Sequence, residues 1–289
     1  MRKINTRIIP RLDIKGSNLV KGINFEGLRI LGKPEDFARY YYEQGADELL
    51  YMDIVASLYG RNSLLDIISK TSKEIFIPLT VGGGLRTIED INHALNAGAD
   101  KVALNTAAIN DPGLIRNASR RFGSSTIVVS IEAKKLNNNY EAYTDNGREK
   151  TGFEAIAWAC EAVKLGAGEV MITSIDNEGT GKGFDLSLTN AISESVSVPV
   201  IACGGAGKKE HIYEVLAKAN SEAVSIASIL HYDFHNKKDK RGSMQHINPL
   251  IMQRGFSKIN SIDLFSLKKY LFNQKIFSRN FLNTEKIEL

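Results

Sequence analysis

The 289-residue chain predicts an α/β protein, a closed (β/α)8 or TIM barrel built from two duplicated half-barrels. Two observations carry that expectation. Eight short β-branched and apolar runs alternate with amphipathic helical stretches, the pattern of parallel βα units. The sequence also repeats itself. PLTVGGG at 78–84 returns as PVIACGG at 199–205, and Gly45-Ala46-Asp47-Glu48-Leu49 returns as Gly166-Ala167-Gly168-Glu169-Val170, both 121 residues later. RIIPRLDIK at 7–15 is echoed by TIVVSIEAK at 126–134, 119 residues later. Such a period exceeds the roughly 20–50 residues of a solenoid repeat and suits half-domains of several elements.

The expected strands lie near 7–14, 48–54, 75–81, 101–105, 126–132, 168–174, 198–203 and 223–227. Helical patterns fall at 34–44, 63–71, 87–97, 112–121, 152–165, 187–193 and 210–218. Apolar runs such as IVVSI fit a sheet covered on both faces. Pro10 resists, because it removes a ladder donor inside the first strand. The length admits one large barrel or two ordinary domains; the four-plus-four duplication selects a single barrel over 1–289, with half-barrels at about 5–122 and 123–235.

The composition, 43% hydrophobic and 24% charged, is that of an ordinary globular chain. No apolar run of about 18 residues indicates a membrane span. Met1 to Arg7 leads straight into a strand rather than through an apolar signal segment. Cys160 and Cys203 make no disulfide framework, so a cytoplasmic location is expected. The net charge of +4 is mild. Lys237, Lys238, Lys240 and Arg241 lack the motif and aromatic interleaving of a nucleic-acid site and read as a solvated loop.

Barrel active sites sit at the C-terminal ends of the strands. There the third and seventh strands run into Gly82-Gly83-Gly84 and Gly204-Gly205-Ala206-Gly207. Glycines let a backbone turn its N–H groups onto an anion, and a following helix N-terminus adds partial positive charge. A tight turn accounts for one such run; two related by the repeat imply a ligand with two phosphates. Asn105 and Thr106 follow the fourth strand, Ala227 and Ser228 the eighth, each pair placed to close a cradle. Asp13 ends the first strand and Glu132 the fifth, diametrically opposed, as a general acid–base pair across a substrate. Either acid alone could be a cap or a partner of Lys15 or Lys134. Asp53, Thr173 and Asp176 also end strands and could orient ligand or water. Lys21 falls in a long loop, 16–34, a natural lid. No His/Cys cluster has metal-ligand spacing, so neither metal nor cofactor is expected. Cys203 reads as a core thiol.

These residues together resemble a known family. Ile8-Ile9-Pro10, Leu12-Asp13-Ile14-Lys15, Val20-Lys21-Gly22, Gly45-Ala46-Asp47-Glu48-Leu49, Val81-Gly82-Gly83-Gly84, Gly98-Ala99-Asp100-Lys101-Val102, Thr173-Ser174-Ile175-Asp176 and Gly204-Gly205-Ala206-Gly207 are similar to the cyclase subunit of imidazole glycerol phosphate synthase over about residues 5–232. The resemblance implies a lyase of histidine biosynthesis. It would take ammonia from a glutaminase partner at the N-terminal face. With it, a bis-phosphorylated ribulosyl aminoimidazole carboxamide becomes imidazole glycerol phosphate and aminoimidazole carboxamide ribotide. It also implies a charged ring for ammonia entry, matched here by Arg7, Glu48, Lys101 and Glu169; a structural salt-bridge cluster is the plainer alternative.

Three features depart from that pattern. Glu132 stands where the family has aspartate. Arg11 replaces a small residue or cysteine. A segment at about 232–259 exceeds the family's link to a last helix at about 261–275. Two other readings therefore stay open: an ammonia-delivering subunit for a sugar amidotransferase in nucleotide-sugar or surface-glycan synthesis, and a non-catalytic scaffold.

Overall fold

In a computed structural model, residues 6–23, 26–56, 64–239 and 259–279 are described. Eight parallel strands close into a barrel: β1 (Arg7–Lys15), β4 (Leu49–Asp53), β5 (Leu79–Gly82), β6 (Lys101–Leu104), β7 (Ile127–Leu136), β10 (Glu169–Ser174), β11 (Val200–Cys203) and β12 (Ala223–Ile226). Pairing of β10 with β7 and of β1 with β12 leaves no open edge. The remaining strands form two ribbons. β2 (Asn18–Ile23) and β3 (Glu26–Gly32) extend antiparallel from β1, and β8 (Asn139–Thr144) and β9 (Glu149–Glu154) from β7.

The ribbons correct two expectations. Of the 16–34 segment, Asn18–Ile23 and Glu26–Gly32 are hydrogen-bonded extensions of the sheet, not a free lid loop. The stretch read as the start of a helix at 152 is the end of β9. Each ribbon pairs with the C-terminal end of the strand it follows, at Ile14–Lys15 of β1 and Glu132–Leu136 of β7, so the repeat at 119 residues has a structural counterpart.

Helices α1 (Pro34–Glu43), α2 (Leu65–Thr71), α3 (Ile88–Asn96), α4 (Thr106–Asn110), α5 (Gly113–Phe122), α6 (Ala155–Leu165), α7 (Leu186–Ser195), α8 (Lys209–Lys218), α9 (Ser228–Asp239) and α10 (Leu264–Asn273) lie along the chain between and after these strands. Of the segment at 232–259, Tyr232–Asp239 continues helix α9, and residues 240–258 lie outside the described residues. Among the described residues no helix is long and apolar enough to cross a membrane.

The period-two alternation of a strand sorts its side chains between two environments. On β1, Ile8, Leu12 and Ile14 point out into a core shared with the helices. Ile9 points into the lumen, where Leu50, Ala103, Val128, Met171, Ile201 and Ala223 form an apolar layer. Pro10 is accommodated because β1 changes partner there: residues 7–10 register with β12 and 11–14 with β4.

The Gly-Ala-Asp triplets explain the turns into the strands. Gly45 and Gly98 have φ of +81° and +115°, ending the preceding helix. Asp47 Oδ2 then accepts from Ile8 N at 2.8 Å, and Asp100 Oδ2 from Leu79 N at 2.8 Å, pinning the start of a neighbouring strand. Asp47 is also paired with Lys268 of α10 at 2.8 Å, both side chains being almost completely buried.

That ion pair yields a stability prediction. Lys268→Met leaves the Asp47 carboxylate buried without its cation, at a cost of about 3–5 kcal/mol. The double variant with Asp47→Asn recovers part of the loss. Urea unfolding of the three proteins measures both effects.

Candidate active site

Strand β1 contributes four inward side chains at successive heights: Arg7, Ile9, Arg11 and Asp13. Arg7 starts the strand, and Glu48, Lys101 and Glu169 stand at or beside the starts of β4, β6 and β10. The four meet at the N-terminal end of the lumen. Arg7 Nη1 donates to Glu48 Oε1 at 2.8 Å and Glu169 Oε2 at 3.0 Å. Lys101 Nζ donates to the same two acids, at 2.9 Å to Glu48 Oε1 and 2.6 Å to Glu169 Oε1. Two cations and two anions alternate, so charge is neutralised where water is scarce.

Asp13 and Glu132 lie at the other end, on β1 and β7. Four strand steps separate these strands in either direction around the ring, so the acids face each other across the mouth. Their surroundings differ. Asp13 receives Arg11 Nε at 2.7 Å on Oδ1 and Lys21 Nζ at 3.4 Å on Oδ2. Burial pushes its pKa up, but the Arg11 and Lys21 charges outweigh that and hold it below the ordinary value. Glu132 Oε2 accepts from the neutral Asn105 amide at 3.2 Å. Burial pushes it up to about 7; the Arg11 charge opposes this, while Asp13 and Glu178 add to it.

Two cavities open at this mouth. The larger, about 250 Å³, is lined by Asp53, Gly83, Gly84, Asn105, Thr106 and Glu132, among others. The smaller, about 20 Å³, has room for roughly one water molecule. It is lined by Gly204, Gly205, Ala227 and Ser228 together with Arg11, Lys21 and Glu178. What closes it is an ion pair of Lys21 Nζ with Glu178 Oε1. Tight approach accounts for Gly83 in the first cradle and for Gly205 and Gly207 in the second. A Cβ on Gly83 would lie 2.1 Å from the Asp53 carbonyl oxygen, and one on Gly205 2.0 Å from that of Gly183.

Several expected ligand contacts are differently engaged. The N-terminus of α3, after the first cradle, is closed by a capping box of Thr87 with Asp90, and Glu89 and Asp90 there oppose an anion. Thr106 Oγ1 accepts from Asp145 N at 3.1 Å, tying the cradle to the second ribbon. Asp176 is exposed, accepts from Lys135 N at 2.9 Å and lines neither cavity. Thr173 is fully buried beside both and lines neither; its Oγ1 has no partner among the described residues. Cys203 is a buried free thiol, and Arg11 Nη1 approaches its Sγ at 3.3 Å. Sequence reasoning missed Glu178, which sits in an undistinguished Asn-Glu-Gly-Thr turn. Among the described residues no cluster of three or more His, Cys, Asp or Glu is placed to hold a metal.

The proton affinity of Glu132 sets a pH dependence. A carboxyl raised to about 7 keeps its proton in the folded chain where the unfolded chain, near 4.3, has released it. Stability therefore falls as pH rises from about 4.5 to 7, by as much as about 3 kcal/mol. Glu132→Gln removes that slope, so its stability relative to wild type is greater at pH 8 than at pH 5 by urea unfolding.

Comparison with known proteins places this geometry. The histidine biosynthesis protein family matches residues 7–236. Imidazole glycerol phosphate synthase subunit HisF of Legionella pneumophila is 58% identical over 207 residues, 71% of this chain and 98% of the relative. The proteins of the same name from Trichormus variabilis and Synechocystis sp. are 48% and 50% identical, covering 79% and 78% of this chain and 91% and 88% of their own lengths. The chain therefore belongs to the histidine biosynthesis protein family, among the HisF subunits of imidazole glycerol phosphate synthase.

Proposed function

We propose that this chain is the cyclase subunit of an imidazole glycerol phosphate synthase. It uses ammonia from a glutaminase partner to convert a bis-phosphorylated ribulosyl aminoimidazole carboxamide into imidazole glycerol phosphate and aminoimidazole carboxamide ribotide. The observation that carries the reading is a charged ring and an acid pair at opposite ends of one lumen, separated by an apolar layer. Ammonia enters between Arg7, Glu48, Lys101 and Glu169, crosses the apolar layer uncharged and meets substrate held between Asp13 and Glu132. Substrate phosphates take the two glycine cradles, Gly83-Gly84 and Gly204-Gly205. At the second, a phosphate competes with Glu178 for Lys21. Delivery of ammonia to a separate sugar-modifying enzyme gains no support from the three relatives, all of which carry the synthase name.

Purified chain supplied with the substrate and an ammonium salt is expected to release both products. Asp13→Asn lowers that turnover by about 10²-fold or more, the scale of a general acid–base group. Absence of product from the wild type defeats the reading, and full turnover by Asp13→Asn defeats the role of that acid.

We assign the partner to the N-terminal face. Phe76, in the approach to β5 on that face, is 79% exposed and rests edge-on against Tyr42, an apolar group awaiting cover. Phe76→Asp is expected to weaken glutaminase association at least tenfold in size-exclusion titration, leaving ammonium-dependent turnover intact. Unweakened association would move the docking site elsewhere.

A further inference from the structure

We propose that Arg11 is a positioning residue for the acid pair: its guanidinium, laid across the lumen, orients Asp13 and keeps it ionised, so that Asp13 accepts a proton and Glu132 donates one. The inference rests on the cyclase reading and names a member of that site that the repeat and the glycine motifs do not mark.

The geometry is specific. Arg11 follows Pro10 on β1 and points inward between Ile9 and Asp13. Its Nε donates to Asp13 Oδ1 at 2.7 Å, and its Nη1 reaches Cys203 Sγ at 3.3 Å. Cys203 is on β11, and β12 separates β11 from β1, so the side chain spans the barrel interior rather than lying along one strand. It rests above the apolar layer and is 2% exposed. A cation is costly there unless paired, and Arg11 is paired with Asp13. The groups facing it are Asp13 from its own strand, Lys21 from β2, Glu132 from β7, Glu178 from the β10–α7 loop, Cys203 from β11 and His231 from α9. His231 is neutral, since burial and then Lys21 pull it down to about 3. Asp13 thus holds a guanidinium on one oxygen and an ammonium on the other, while Glu132 has a neutral amide. Two carboxyls in such unequal settings divide acid from base.

The proton count follows. As the ammonia nitrogen bonds to substrate carbon it must shed a proton, and Asp13 takes it. Glu132 gives its proton to the oxygen of that carbon's carbonyl, whose π bond breaks as the C–N bond forms, leaving a carbinolamine. One proton is accepted and one donated, and no oxidant or reductant is needed.

The test measures ammonium-supported turnover of Arg11→Ala and Arg11→Lys against pH, with wild-type turnover as the control for the cyclase reading itself. Arg11→Ala is expected to lower kcat about 10²-fold, as misplaced groups do, with KM little changed. Its acidic limb moves up by about one pH unit or more as Asp13 loses its partner, and added guanidinium chloride at sub-denaturing concentration restores part of the rate. Arg11→Lys keeps the acidic limb near that of the wild type but not the full rate, because an ammonium cannot reach Asp13 and Cys203 together. An active wild type with unchanged kcat and pH profile in a folded Arg11→Ala overturns the inference and leaves the cyclase reading standing. Should Arg11→Ala fail to fold, Arg11→Lys decides: wild-type kcat overturns the inference, and reduced kcat with an unmoved acidic limb supports it.

Discussion

Strand β1 is hydrogen-bonded to β12 through its first half and to β4 through its second, and the barrel closes on it. Closure leaves its alternate side chains two destinations. Ile8, Leu12 and Ile14 enter the core under the helices, and Arg7, Ile9, Arg11 and Asp13 enter the lumen. A one-residue slip would exchange the two sets, placing two arginines and an aspartate against the helices. Asp47 guards against that slip by binding Ile8 N and anchoring itself to Lys268. The register of this strand decides where Arg7, Arg11 and Asp13 stand.

Charge in the lumen is arranged in two clusters with apolar side chains between them. At the N-terminal end Arg7 and Lys101 balance Glu48 and Glu169, and every link is a close ion pair. At the mouth Arg11 and Lys21 face three acids, Asp13, Glu178 and Glu132. One negative charge is in excess. Burial makes that excess costly, and the acid with the weakest partner relieves it by holding a proton, which is why Glu132 is raised to about 7. The extra methylene of glutamate at this position therefore sits inside an altered charge balance, in which Arg11 is the other departure from the family pattern.

The two halves of the barrel are alike in element order and unlike in chemistry. Both carry a long first strand with an antiparallel ribbon and a glycine cradle after the third. Yet one cradle opens into a cavity of about 250 Å³ and the other is closed to about 20 Å³. The difference lies in side chains. Lys21 of the first ribbon reaches Glu178 over the second cradle, whereas Thr106 binds the second ribbon's turn at the first.

The sequence by itself determined the strand order, the eight-unit count, the duplication and the strand ends that bear Asp13, Glu132 and the glycines. These are written in local periodicity and in repeats along the chain. The ribbons stayed hidden because β2, β3, β8 and β9 carry mixed polarity, so their pairing with β1 and β7 is settled by contact rather than by pattern. Tertiary structure alone decided that Asn105 serves Glu132, that Asp176 turns outward to Lys135 and that Glu178 fills a cradle. It also decided the unequal protonation of two acids that look interchangeable as letters. A carboxyl's proton affinity depends on how deeply it is buried and which charges lie within a few ångströms, and those neighbours come from distant positions in the chain, as Lys268 does for Asp47.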